Sequence, residues 1–224
     1  MISNITWAKK RARKWAFQNN KQICWILAKD TPAHTHLQER PYTETDKKRW
    51  LQYHDKNCDK LHGMVPVAEG MPMMLVDHLD RSPNKQLLRG RVGYVHSWVL
   101  NDSETGYSAN EQEATLSHMP EVILLDFQTK EWHLAGMPGP GIYPIFPRNG
   151  TWKLDAYRKK KAVLRIKRQQ FPIAPAFAIT AHFAQGKAER AIISDLQACR
   201  GVAPIASYVA ITRIKSREGL LIFP

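Results

Sequence analysis

Long apolar runs are missing from this chain of 224 residues, so no segment reads as a membrane-spanning helix. The stretch from Phe171 to Ala181 is broken by Pro172 and Pro175 and is far shorter than the roughly 20 residues such a helix needs. Cysteine is scarce. Cys24, Cys58 and Cys199 are odd in number and far apart, which argues against a disulfide framework and for free thiols in a reducing compartment. Acidic residues are absent from positions 1 to 29, which carry Lys9, Lys10, Arg11, Arg13 and Lys14, a bias shared with organelle transit peptides. There, however, Ile5, Ala8, Ala12 and Trp15 recur at helical spacing and lead into Ile23-Cys-Trp-Ile-Leu-Ala28, so a helix and then a buried strand are expected. No internal repeat is found. Also lacking is Gly-x-x-x-x-Gly-Lys-Ser/Thr, the loop that cradles nucleotide phosphates. Gly186-Lys187 is the nearest imitation, but Ala188 follows it and Ala181 stands where the first glycine belongs.

What is present begins with charge. Thirty-three Lys and Arg against 20 Asp and Glu give a net charge of +13, and 43% of residues are hydrophobic, enough for a folded core. Residues 1–60 sum to +7, residues 61–150 to −4 and residues 151–224 to +10. Two basic ends around an acidic middle offer a polyanion one preferred face, and nucleic acid is the first candidate. The densest stretch runs from Lys153 to Arg168 and holds Lys159, Lys160, Lys161, Arg165, Lys167 and Arg168 against the single Asp155. The competing reading is a solvated strand edge kept from aggregating by its charge.

Periodicity predicts an α/β beginning: a helix over 5–19, a strand over 22–28 and a helix over 43–58 capped by Thr43 or Thr45. After Gly63 come short β-prone runs, Met64 to Val67, Met71 to Val76, Arg91 to Val95 and Glu121 to Asp126, which suggest a small twisted sheet or barrel. Gly136 to Gly141, with Pro144 and Pro147 beyond, is expected to be loop or linker because it mixes residues without a donor and residues without a fixed φ. From Phe171 the order reads helix, strand, helix, strand, with Pro204 suited to a first helical turn. That is a βαβ unit whose strands, at 190–196 and 219–223, should run parallel with a right-handed crossover.

Two motifs in this last part are specific. Ala178-Ile-Thr-Ala-His-Phe-Ala-Gln-Gly186 and Tyr208-Val-Ala-Ile-Thr-Arg-Ile-Lys-Ser216, the latter followed by Gly219-Leu220, resemble in order and spacing the closing motifs of superfamily 1 DNA helicases of the Pif type, relatives of RecD. Glu69 to Val76 and Leu88 to Val95 resemble, more weakly, the hairpin of a small barrel inserted in the second motor domain of that family. The resemblance covers roughly residues 60–224. It implies an α/β fold: a RecA-like parallel-sheet domain formed by residues 1–62 and 171–224, with an inserted β-rich subdomain over 63–170.

By that resemblance Arg213 is the cation that reaches a γ-phosphate when two lobes close, a task suited to a planar, permanently charged guanidinium. Tyr208, Val209 and Ile211 would be buried while Arg213 projects from the domain face. Thr180 and His182, near a helix start after Pro175, would touch single-stranded DNA, and Gln185 and Gly186 would lie on the nucleotide side. Lys159, Lys160, Lys161, Arg165, Lys167 and Arg168 would add DNA contacts. Phe183-Ala184 replaces the Lys-Ser common in the family and removes a cation and a hydroxyl. ATP and magnesium are implied through a phosphate-loop motor domain acting in cis or in trans, the chain beginning after that domain. The resemblance further implies a monomer that is intracellular, nuclear or mitochondrial in a eukaryote. The alternative is a non-catalytic nucleic-acid-binding module or a mobile-element helicase relic.

Val122 to Asp126 and Ala191 to Asp195 imitate a Walker-B strand, but apolar strands ending in Asp are common and both read as structural. His54, Cys58 and His62, four residues apart, fit no common zinc pattern and read as one face of a surface helix, so no metal site is assigned. Of the seven tryptophans most read as core, with one or two available to stack on bases.

Overall fold

The structure is a computed structural model that describes residues 4–33, 43–105, 107–108, 111–154, 164–177, 188, 190–195, 208–209 and 211–223. The chain separates into two compact units, residues 1–177 and 178–224.

The first unit opens with α1 (Asn4–Gln18), which turns Ala12 and Ala16 fully inward and leaves Trp15 half-buried, as its helical spacing requires. Arg13 clamps the helix to the sheet below through a paired hydrogen bond to Glu113, whose carboxylate also accepts from Trp25 Nε1 at 2.7 Å. β1 (Ile23–Leu27) is a continuous apolar run and is buried on both sides. It pairs antiparallel with β3 (Met64–Val67) and parallel with β6 (Glu113–Thr115). A five-stranded antiparallel sheet follows the order β11-β4-β5-β7-β8, built from β4 (Pro72–Leu75), β5 (Val92–Val99), β7 (Val122–Asp126), β8 (Ile142–Ile145) and β11 (Ile173–Pro175). Inward residues of these two sheets, among them Trp25, Ile26, Met73, Leu75 and Ile123, form the main core together with Phe171, which lies just before β11.

A third sheet has the order β2-β10-β9, from β2 (Lys29–Pro32), β9 (Arg148–Leu154) and β10 (Leu164–Gln170), all antiparallel. It covers a smaller core of Trp50, Cys58, Trp152 and Ile166. In the second unit β12 (Ile192–Asp195) and β13 (Leu220–Phe223) pair in parallel, as the βαβ reading expects. Among the described residues parallel pairing is confined to β1–β6 and β12–β13, and no closed barrel is seen.

Four expectations need correction. The segment after Phe171 does not open as a helix: Ile173–Pro175 is β11, paired antiparallel with β4. The second helix, α2 (Glu44–Trp50), has the expected Thr43 cap with a full capping box, but it stops at Trp50 rather than 58. The Trp50 carbonyl is taken by a buried arginine, the next residues tighten into i→i+3 turns, and the His54 side chain caps a separate turn at Asp55–Asn57. His54, Cys58 and His62 therefore share no helix face, and no metal-ligand group exists among the described residues. Residues 136–147 are not all loop. Ile142–Ile145 forms β8, where Pro144 sits on an edge strand and needs no donor for a further neighbour. Tyr208 is not buried: it is 68% exposed, while Val209 and Ile211 are half-buried.

Candidate nucleic-acid interface

Alternation along β10 decides what the basic stretch can do. Because successive strand residues point to opposite faces, Arg165 and Lys167 face solvent while Ile166 and Arg168 face the small core. Register extends the division to the neighbours, since directly paired residues share a face. Arg165 lies opposite Lys153, Lys167 lies between Thr31 and Thr151, and Gln169 lies between Lys29 and Asn149. Among the described residues the outer face of this sheet thus carries Lys29, Lys153, Arg165 and Lys167 and no Asp or Glu. All four cations are exposed, and none is ion-paired among the described residues.

The inner face anchors the strand that carries Arg165 and Lys167. Arg168 is fully buried, and its Nε and Nη2 donate to the two oxygens of Asp30 at 2.8 and 2.7 Å. Nη2 also donates to the Trp50 carbonyl at 2.8 Å, Nη1 donates to the Leu61 carbonyl at 3.2 Å, and the guanidinium stacks over Trp152. This is the charged, multiply satisfied geometry a buried ion needs. Arg168 is therefore removed from the candidate DNA contacts, because its donors are committed inside the fold. Gly150 lies beside it on the inner face, where a Cβ would come within 2.7 Å of Asp59 Oδ2. Arg148 ties the sheet to the turn at Asp59 through Nη1 to Oδ2 and Nη2 to the main-chain oxygen, both at 2.8 Å, with Asp77 at 3.1 Å from its Nε.

Around the same small core, burial pushes the Cys58 thiol up to about 11, so it is a packing group and not a thiolate. Burial also drives His62 below its ordinary value, against the opposing pull of Asp55 and with help from His54 and Arg168. Cys24, in the main core, is likewise raised to about 11 by burial.

In the second unit Arg213 follows a helical segment that includes Tyr208, whose carbonyl accepts from the Thr212 amide. Its Nε donates to the Val209 carbonyl at 3.3 Å and one Nη2 hydrogen to Thr212 Oγ1 at 3.0 Å. No carboxylate partners it among the described residues. The remaining guanidinium donors are open to an anion. Lys159, Lys160, Lys161, Thr180, His182, Gln185 and Gly186 lie outside the described residues. Asp126, at the end of the first Walker-B imitation, accepts from the Gln128 amide at 2.7 Å and closes a turn. Trp25, Trp50, Trp132 and Trp152 are core, and Trp15 and Trp98 are half-buried.

The contribution of Lys29 to the basic face was not visible in the sequence, because only strand pairing brings it to β10. No protein-family model matches the chain, and no curated protein matches its sequence. Solved structures do match. The Pif1 helicase from Candida albicans aligns with a TM-score of 0.53 and 17% identity over 99% of this chain and 44% of its own length. Bacteroides Pif1 bound to single-stranded DNA gives 0.51, with 17% identity over 98% of this chain and 39% of that protein. Its complex with ADP-AlF3 and single-stranded DNA gives 0.50 and 16%, over 100% and 39%.

The fold is Pif1-like. The likeness runs over essentially the whole chain, which spans less than half the length of these neighbours.

Proposed function

We propose that the chain is the C-terminal portion of a Pif-type ATP-dependent DNA helicase, the second motor half, which binds single-stranded DNA and supplies Arg213 to the nucleotide site of a phosphate-loop domain. The observation that carries the reading is the order of the two closing motifs, Ala178 to Gly186 and Tyr208 to Ser216 with Gly219-Leu220, in a chain whose fold aligns with Pif1 helicases along its length. On this reading residues 1–62 and 171–224 form a RecA-like domain and residues 63–170 an inserted β-rich subdomain. Thr180 and His182, with the basic segment around Lys159, Lys160, Lys161, Arg165 and Lys167, hold the strand, and Gln185 and Gly186 face the nucleotide.

The residues present fit part of an ATP site. Arg213 has uncommitted donors and no carboxylate partner among the described residues, so it can meet an anion presented by another lobe. ATP with magnesium, held by the phosphate-loop domain in cis or in trans, supplies the hydrolysable phosphoanhydride. Arg213 then has one task, to place a fixed positive charge against that anion when the lobes close. Tyr208 and the paired residues Ile193 and Leu221 are exposed apolar groups that such a partner can cover.

The test is complementation. The chain alone shows no DNA-stimulated ATP hydrolysis, and mixing it with a purified phosphate-loop motor domain restores hydrolysis that requires single-stranded DNA. Turnover by the chain alone would overturn the reading. Phe183 and Ala184, where the family carries Lys-Ser, favour a second reading, a nucleic-acid-binding relic whose DNA affinity is the same with and without nucleotide.

A further inference from the structure

We infer that the outer face of the β2-β10-β9 sheet is itself a binding platform for the phosphate backbone of single-stranded nucleic acid, with Lys29, Lys153, Arg165 and Lys167 as its four cationic contacts. The inference extends the nucleic-acid part of the proposed function and rests on it only for the identity of the polyanion.

The arrangement is costly without a ligand. Arg165 and Lys153 are directly opposed across neighbouring strands, a position where like charges destabilise a sheet. Lys167 lies diagonal to Lys153 on one side and to Lys29 on the other, within about 7–8 Å at the backbone. Among the described residues no carboxylate on this face relieves the repulsion. Edge protection does not account for the pattern, because Arg165 and Lys167 stand on the central strand rather than at an edge. A polyanion running along the face would relieve every one of these repulsions at once.

Shape and chemistry select one strand of nucleic acid. Four residues separate the row of Lys29 from the row of Arg165 and Lys153, about 13 Å along the strands, and two strand spacings make the face about 10 Å wide. Thr151, beside Lys167, supplies a hydroxyl of the kind that binds phosphate oxygens without reading sequence, while Thr31 Oγ1 donates to the Lys167 carbonyl. Among the described residues the face presents three strands side by side and no helix to lie in a groove of a duplex. A flexible single strand can lay successive phosphates along it. The rigid inner face, locked by Arg168 and Asp30, keeps the cations in place before the ligand arrives.

The experiment is anisotropy of a labelled oligothymidylate with the full chain across a salt series. Neutralising all four residues (K29Q/K153Q/R165Q/K167Q) is expected to lower the log–log salt slope by about 2 to 3, at roughly 0.7 per lost contact on a single strand. Affinity at low salt should fall at least tenfold. K10Q/K14Q/K48Q/K56Q removes the same charge from exposed positions elsewhere and should leave the slope within experimental error of the wild-type value. The pair K29Q/K153Q, confined to the edge strands, should remove about half the effect, and unchanged tryptophan fluorescence checks the fold of each variant. An unaltered slope in the four-residue variant would overturn the platform while leaving DNA binding intact, and so would an equal loss in the control. Tighter binding of a duplex than of the single strand would overturn the choice of ligand. A wild-type chain that binds no oligonucleotide would overturn the nucleic-acid reading as a whole.

Discussion

Removing the Arg168 guanidinium strands the Asp30 carboxylate and the Leu61 carbonyl inside the smaller core and leaves the Trp50 carbonyl with the Tyr53 amide. Breaking one side of such a buried pair typically costs about 3–5 kcal/mol, so Arg168→Gln should lower the urea midpoint of the first unit by that equivalent. Arg168→Met combined with Asp30→Leu should recover part of the loss, because no unpaired charge remains. A midpoint unchanged in the single variant would contradict the network. His62 gives a second prediction, with the sign fixed by burial. Its folded-state pKa lies below the ordinary value of about 6.5, so below that pH the unfolded chain takes up a proton that the folded chain resists. Stability from this group is present above pH 6.5 and is lost as pH falls toward the folded-state pKa. His62→Gln should flatten that part of the stability profile measured by chemical denaturation; a profile of unchanged slope would contradict it. Arg168 also shows what composition conceals. Read as one of six clustered cations it is a DNA contact, whereas the alternation Leu164, Ile166, Arg168, Gln170 places it with the apolar side chains, a signal that was available in the sequence.

Elements were legible where local chemistry alone decides them. Met64–Val67, bounded by Gly63 and Gly70, forms the strand its β-prone run implies, and the Thr43 capping box starts α2 where expected. Where a distant group intervenes, reading along the chain fails. The end of α2 is set by an arginine from β10, and Pro144 is tolerated because β8 happens to be an edge. Gly219 shows a motif position explained by packing: a Cβ there would collide with the Arg190 carbonyl where β13 enters its pairing with β12. Gly219→Ala should therefore weaken that pairing, seen as faster hydrogen exchange at Leu221 and Ile222 with the first unit unchanged. Equal exchange in both proteins would show that the close approach does not matter.

At the scale of the molecule, the charge split seen in the sequence has a structural counterpart in one sheet whose outer face carries four cations and, among the described residues, no carboxylate. The α/β order and the parallel β12–β13 pair were readable because they follow from short, well-punctuated runs. The assembly of the basic face was not, because it depends on pairing between strands far apart in sequence. In the proposed function Arg213 meets the nucleotide of another lobe. The decisive measurement is DNA-stimulated ATP turnover in the mixture of this chain with a phosphate-loop motor domain, comparing wild type with Arg213→Ala and Arg213→Lys. The account predicts a loss on the order of 10³-fold or more for Arg213→Ala, with little recovery by lysine, whose point charge lacks the planar fork. Turnover equal to wild type in Arg213→Ala would contradict it.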